Sequence, residues 1–169
     1  MKQIILTQSK FAIVDDEDYK LLNSYKWCAK LCDGKWYALR GTWINNKRGG
    51  IYMHRQIMQF PNKKQIDHKN GNGLDNRREN LRIANQTQNN ANQSRKNKNL
   101  AGFKGVQYKK ERNKYVASIG FHRAVLYLGI FDQAEEAARV YDKKAKELFG
   151  EFARLNFSAQ EGKSRDENN

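Results

Sequence analysis

Apolar residues in this chain come in short clusters. IILT, FAIV, LLNSYKW, WYALR and IYM follow one another over residues 1 to 53, broken by Asn, Gly and charged residues. No run approaches the roughly 20 apolar residues that a membrane-spanning helix needs. Apolar residues make up only 38% of the 169. A chain patterned this way cannot assemble one large core. It must build small units from short strands and short helices, which predicts an α+β protein. No basic-then-apolar leader is evident, so a cytoplasmic protein of a bacterium or of a phage-infected cell is expected.

The first clusters are β-branched and aromatic and read as short strands of a β-rich region. A brief helix is expected at DDEDYKLLNSY. Asp15, Asp16, Glu17 and Asp18 mark its acidic start, where carboxylates meet the positive helix end. A metal-binding acidic cluster is the alternative, but consecutive carboxylates on a helix point apart. MHRQIMQF reads as a short amphipathic helix ended by Phe60-Pro61. Ile66 and Leu81-Arg82-Ile83 read as two short strands around an Asn- and Gly-rich loop. Asn85 or Thr87 then caps a short polar helix.

Residues 94–101, SRKNKNLA, form a polar basic linker. After it, FKGVQYKK, NKYVASIGF and AVLYLGIF read as three antiparallel strands, with turns at ERN and HRA. Asp132 with Glu135 three residues on has capping-box spacing and predicts a helix start. Ala134, Ala137, Ala138, Tyr141, Ala145 and Leu148 form its apolar stripe, and Gly150 ends it. The expected organisation is a first domain over 1–93 with its chemical motif at about 51–93. A second domain covers 102–157, and 158–169 is a polar tail.

The formal net charge is +14. Gln86 to Tyr127 holds nine Lys and Arg against one acid, Glu111, a net +8. The excess sits on the linker and the three strands, interleaved with Tyr108, Tyr115 and Tyr127. A sheet packed by one helix has a free outer face, and a two- or three-stranded ribbon fits the major groove of duplex DNA. A membrane is not expected as a partner. The linker residues Arg95, Lys96 and Lys98 would neutralise phosphates. His122 reads as a turn residue.

GFKGVQYKKERNKYVASIGF followed by LYLGIFDQAEEAARVYDKKAKELFGEFARLNF resembles the plant ethylene-response-factor DNA-binding domain, the Apetala-two fold. The likeness covers about residues 102–157. It implies that the sheet lies in the major groove. The matching contact positions are Lys104, Gln107, Lys109, Arg112, Lys114, Tyr115, Ser118, Arg123 and Tyr127. Tyr115 and Tyr127 stand where plant members usually carry Trp, and Ser118 where they often carry an acid. Docking mode is thus implied, and base specificity is not.

The segment IDHKNGNGLDNRRENLRIANQTQNN carries the chemical signal. Asp67 and His68 are adjacent, Asn80 follows His68 by twelve residues and Asn89 by nine more. Phosphodiester hydrolysis needs a base for the attacking water, and His suits that task near neutrality. It also needs stabilisation of negative charge on the phosphorus oxygens, which a cation held by hard oxygen ligands supplies. Adjacent residues on a regular strand face opposite ways, so Asp67 and His68 share a site only if the strand ends or twists there.

Together with MHRQIM, this segment resembles the homing-endonuclease branch of the HNH nucleases, over about residues 53–90. The resemblance implies a ββα-metal motif with His68 as general base and Asp67 as a metal ligand. Asn80 would pin the loop and Asn89 would be the second ligand, with register slips to Asn85, Asn90 or Asn92 as alternatives. Asn at the last position disfavours Zn²⁺ and favours Mg²⁺ or Mn²⁺. His54 reads as structural, and Arg55 as structural or phosphate-contacting. Cys28 and Cys32 are the only cysteines. They read as small thiols, and a mixed Cys/His zinc site fits no standard spacing.

The whole predicts an endonuclease on double-stranded DNA with one divalent metal and no other cofactor, acting as a monomer or weak dimer. One active site suggests nicking. The alternative is a non-catalytic DNA-binding regulator with a decayed nuclease module. An RNA-binding protein using the same basic sheet is a further rival.

Overall fold

The computed structural model describes residues 1–44, 46–61, 64–93, 100–122 and 124–157. The chain is mixed α+β with several small antiparallel sheets, as the patterning predicts. It divides into two compact units, residues 1–89 and 90–169. The basic residues Arg95, Lys96 and Lys98, Arg123 and the tail 158–169 lie outside the described residues.

In the first unit, β1 (Lys2–Ile5) pairs antiparallel with β2 (Phe11–Val14). Alternation along the pair buries Ile4, Ala12 and Val14. Helix α1 (Asp16–Leu22) carries Asp16, Glu17 and Asp18 in its first turn. Three strands follow, β3 (Cys28–Cys32), β4 (Lys35–Ile44) and β5 (Lys47–Tyr52), in the sheet order β3-β4-β5. Helix α2 (Met53–Ile57) buries Met53 and Ile57. Leu22, Trp27, Ala29, Ala38 and Leu81 complete the core with these residues. The Trp27 indole is buried because its N–H donates to the Leu22 carbonyl at 2.8 Å.

The chemical segment forms β6 (Gln65–His68), a loop, a single 3-10 turn (Arg78–Asn80), β7 (Leu81–Ala84) and α3 (Gln86–Asn92). β6 and β7 are antiparallel, with Asp67 opposite Arg82 and His68 opposite Leu81. Asn85 caps α3 reciprocally. Its Oδ1 accepts from the Gln88 N–H at 2.9 Å, and Gln88 Oε1 accepts from the Asn85 N–H at 2.9 Å. The loop is fastened from outside. Ile13 donates its N–H to the Leu74 carbonyl at 2.9 Å, and the Asn76 N–H donates to the Ile13 carbonyl at 2.8 Å. Gly73 is forced by close approach: a Cβ there would lie 2.4 Å from the Trp36 carbonyl oxygen.

The acidic cluster at α1 is an anchor for this loop. Arg78 donates from Nε and Nη2 to Asp18 at 2.8 Å each, pairs with Glu17, and its N–H donates to Asp15 at 2.8 Å. Among the described residues no group of three or more His, Cys, Asp and Glu is arranged to hold a metal ion, and Cys28 and Cys32 are free thiols.

In the second unit, β8 (Val106–Lys109), β9 (Lys114–Phe121) and β10 (Ala124–Phe131) form a sheet of order β10-β9-β8. Helix α4 (Ala134–Phe149) covers one face, burying Ala137, Ala138, Tyr141 and Ala145 against Val106, Ala117 and Ile119. Gly105 has φ +76° and lies so close to Tyr141 that a Cβ would fall 1.9 Å from its ring. The LNF segment is pinned by Asp142, which accepts the Asn156 and Phe157 N–H groups at 2.9 and 3.0 Å. The start of α4 differs from the capping-box expectation. Gln133 is the cap residue and makes no side-chain cap bond, while Asp132 pairs with Lys114. A nearby ammonium competes for a carboxylate that a cap would otherwise use.

Candidate active site

Asp67 and His68 occupy the last two positions of β6. Alternation sends them to opposite faces, and both are buried, at 6% and 5% exposure. On the Asp67 face, Arg82 Nε and Nη2 donate to Asp67 Oδ2 at 2.9 and 2.8 Å. Gln65 shares this face by its two-residue offset. Its Oε1 accepts from Asn89 Nδ2 at 2.8 Å, and its Nε2 donates to Gln86 Oε1 at 2.5 Å. So α3 brings Asn89 to the face of the hairpin that carries Asp67. Asn89 Oδ1 accepts no hydrogen bond among the described residues.

His68 looks the other way, into a group of rings. Its ring centroid lies 5.1 Å from that of His54, edge-on, and 5.9 Å from Tyr37. Tyr52 stacks on His54 at 5.4 Å and 18°. His68 Nε2 is 3.4 Å from Asn76 Oδ1. With Nε2–H turned to that oxygen, the ring's lone pair resides on Nδ1. Burial pushes the His68 imidazolium pKa down, partly opposed by the Asn76 bond and the charges of Asp67 and Asp75. The Asp67 charge also helps raise Tyr37, whose main cause is burial. The two faces are thus coupled electrostatically at the strand end. His54 is pushed down to about 3, first by burial and then by His68 and Arg55. Both rings are therefore neutral at pH 7. Two buried polar atoms here have no partner among the described residues, His54 Nδ1 and Asn76 Nδ2.

Asn80 closes the loop. Its Nδ2 donates to the Asp75 carbonyl at 2.7 Å and to Asn70 Oδ1 at 3.1 Å, and its Oδ1 accepts the Asn70 N–H at 3.0 Å. Asp75 is held by Arg77 Nε and Nη2 at 2.8 and 2.7 Å, and Asn70 Nδ2 donates to it at 2.8 Å. The Arg77 bonds hold the Asp75 carboxyl below its ordinary range.

The donor types fit a hard divalent cation. Asp67 offers a carboxylate oxygen and Asn89 an amide oxygen, both suited to Mg²⁺ and Mn²⁺ rather than Zn²⁺. One feature works against tight binding: the Arg82 guanidinium already shares the Asp67 carboxylate.

The expected DNA-contacting residues are placed unequally. Arg55 spends its guanidinium on the Pro61 and Lys64 carbonyls at 3.0 and 3.2 Å, a structural use. In the second unit, Gln107, Ser118 and Tyr127 lie on the sheet face away from α4, where Tyr127 is opposite Ser118. Tyr115 does not lie there. It packs with Phe103, Leu128 and Phe131 against the helix-side core, with Tyr108 beside it at 5.1 Å. Alternation along β9 puts Tyr115 on the parity of the buried Ala117 and Ile119, so the outward role that the resemblance implied for it does not fit this strand. Lys104 is off the sheet, with Nζ donating to the Ala91 carbonyl. Lys114 is paired with Asp132. Lys109 ends β8, and Arg112 is exposed in the turn before β9. The outer face also carries apolar Val125 and Ile130, both exposed.

Four residues around the site have no counterpart in the sequence reading: Arg82, Asn76, Tyr37 and Tyr52. Arg82 was accessible from the pairing of Ile66 with Ile83, which sets it opposite Asp67. The two tyrosines come from β4 and β5, and no local pattern announces them.

The model of the HNH endonuclease family matches residues 59–91, which span β6, the loop, β7 and most of α3. An uncharacterised HNH endonuclease of Acanthamoeba polyphaga mimivirus is 30% identical over 152 residues, covering 86% of this chain and 74% of the relative. Protein 3.8 of Escherichia phage T7 is 32% identical over 90 residues, covering 53% of this chain and 74% of the relative. The likeness to the mimiviral protein extends well past the hairpin and helix that hold Asp67, His68, Asn80 and Asn89, and on it the chain belongs to the HNH endonuclease family, a family of nucleases acting on DNA.

Proposed function

We propose that this protein is a metal-dependent endonuclease of the homing type that hydrolyses phosphodiester bonds in double-stranded DNA. The observation that carries the reading is the end of β6, where the strand stops at His68 and the chain turns, with the Lys69 N–H donating to the Asn80 carbonyl at 2.9 Å. Asp67 and Asn89 share one face, the His68 imidazole is neutral on the other, and the Asp67 charge acts across both.

Asp67 and Asn89 would hold one divalent cation, Mg²⁺ or Mn²⁺, which stabilises negative charge on the phosphate oxygens when bound. Arg82 orients the Asp67 carboxylate. His68, neutral at physiological pH and oriented by Asn76, accepts the proton of the attacking water. The partnerless His54 Nδ1 and Asn76 Nδ2 suit a water held beside that ring. Asn80 positions by fixing the loop between the two strands. One such centre cuts one strand, so a monomer nicks.

The second unit supports a targeting role of the Apetala-two kind. Its sheet is covered on one face by α4, and the other presents Gln107, Ser118 and Tyr127, with Lys109 and Arg112 at the strand end. In this reading that face enters the major groove, where Gln reads adenine edges.

The test is conversion of supercoiled plasmid to nicked circles by the full-length protein, with Mg²⁺ or with EDTA, beside His68→Ala. Nicking is expected only for wild type with metal. Wild type that shifts the plasmid without relaxing it in any divalent metal sinks the enzyme and leaves a DNA-binding regulator.

A further inference from the structure

β4 and β5 form a ribbon whose far half stands clear of the core. Its cross-strand pairs there are Gly41 with Gly50, Thr42 with Gly49, and Trp43 with Arg48. Alternation puts Tyr37, Leu39, Gly41 and Trp43 on one face, joined by Tyr52, Gly50 and Arg48 from β5. Trp43 is 72% exposed, and Lys47 and Arg48 are exposed.

The glycines are informative because glycine weakens a strand and packs nothing. Gly50 has a packing reason, since a Cβ there would lie 3.0 Å from Leu39 Cδ1. Gly41 has none: a Cβ there would meet nothing within 4 Å. Gly49 would touch only Thr42 Cγ2, at an ordinary 3.7 Å. Neither Gly41 nor Gly49 has a left-handed φ. Bare backbone that neither conformation nor internal packing requires is what a closely approaching partner needs.

Charge says which partner. Residues 35–52 contain Lys35, Arg40, Lys47 and Arg48 and no acid. Arg40 is committed to Gln56 Oε1 and to the Tyr25 ring. An outward Arg48 beside an exposed indole suits a nucleic-acid duplex, because the guanidinium neutralises a phosphate and an apolar ring can pack into the groove. The same face leads back to the active site, where Tyr37 and Tyr52 touch His68 and His54. From Tyr37 to Trp43 is about 20 Å at about 3.4 Å per residue.

We propose that this face is a rail for the substrate duplex. The sugar–phosphate backbone crosses the bare floor at Gly41, Trp43 packs into the groove beside it, and Arg48 pairs with a phosphate about 20 Å from the scissile bond. The proposal rests on the DNA-nuclease reading and adds a contact that the hairpin-and-helix motif does not contain.

The test uses the full-length protein carrying His68→Ala, a labelled random-sequence duplex and a salt series. Trp43→Ala and Gly41→Val should each weaken binding about tenfold, on the order of losing one specific contact in a protein–DNA interface. Gly41→Val should not lower the thermal midpoint, because Val favours strands. Arg48→Gln should reduce the slope of log affinity against log salt by about one. If Gly41→Val and Trp43→Ala bind like the parent while wild type nicks plasmid, the rail is wrong and the nuclease reading stands. Loss of affinity in Gly41→Val only alongside a lowered midpoint makes the glycine structural and also overturns the rail. Wild type that neither binds nor nicks DNA overturns both.

Discussion

The two units bury different things. The first encloses Asp67, His68, Asp75, Asn76 and Asn80 within a framework of large apolar residues. The clusters around α4 in the second are mainly alanines, with Tyr141 and flanking rings. Burying a polar group costs stability unless its bonds are made inside. The first unit meets that requirement with Asn80, Arg77, Arg82 and the backbone of β2. In the second unit the corresponding bonds gather at its edge, where Asp142 and Asn156 fasten Lys104 and the LNF segment. Polarity is carried inward in the unit that holds Asp67 and His68, and the unit around α4 keeps an apolar interior.

That contrast breaks most sharply at His68. His68→Ala should lower plasmid nicking about 10²–10⁴-fold, the usual worth of a general base, with duplex affinity unchanged. A comparable loss of affinity would make His68 a binding residue and blur the division.

The next largest effect separates the units physically. Gly105→Ala puts a methyl into the Tyr141 ring at a positive φ. It should destabilise the second unit by about 1–3 kcal/mol or more. Trp27, Trp36 and Trp43, the chain's only tryptophans, all lie in the first unit. Circular dichroism should therefore show an early transition while the tryptophan fluorescence midpoint holds. Coincident shifts would mean that the units unfold as one.

Acid sharpens the comparison further. His54 and His68 have depressed folded-state values, so folding holds them neutral while the unfolded chain protonates near 6.5. Their stabilising share is complete above pH 6.5 and is lost as pH falls from there toward about 3 for His54. The fluorescence midpoint should drop across that window, and His54→Phe should flatten the drop. The same depression places the acid limb of nicking below pH 6.5.

The smallest effect is at Asp132. Its ion pair with Lys114 is largely solvated, so Asp132→Asn should change the second unit's stability by less than about 1 kcal/mol. A larger loss would restore Asp132 to a capping role.

Legibility followed the range of the interactions. The β6–β7 hairpin, the cap at Asn85, the stripe of α4 and the stop at Gly150 are local, and residue spacing announces them. Tyr115 was given an outward role by the resemblance to the Apetala-two fold, although alternation along Lys114–Phe121 sets it on the parity of Ala117 and Ile119, the side that α4 covers. The acidic start of α1 reads as a dipole effect in sequence, and nothing nearby reveals that Arg78, 60 residues on, claims Asp18. The rings around His68 come from β4, β5 and α2, so their meeting is a property of the sheet order. Asp67, His68, Asn80 and Asn89 were singled out by their spacing together with the resemblance to the HNH nucleases. Their partners Arg82 and Asn76 were not.

The fastening of the loop to Ile13 and to α1 bears on modularity. The stretch that matches the family, residues 59–91, is not a portable cassette. Its turn borrows two backbone bonds from β2 and its Arg78 borrows three carboxylates from residues 15–18. Transplanted without the first eighteen residues, the segment would take its catalytic side chains along and leave behind what fixes their geometry. In this chain the N-terminal hairpin and α1 are inherited with the nuclease as one part.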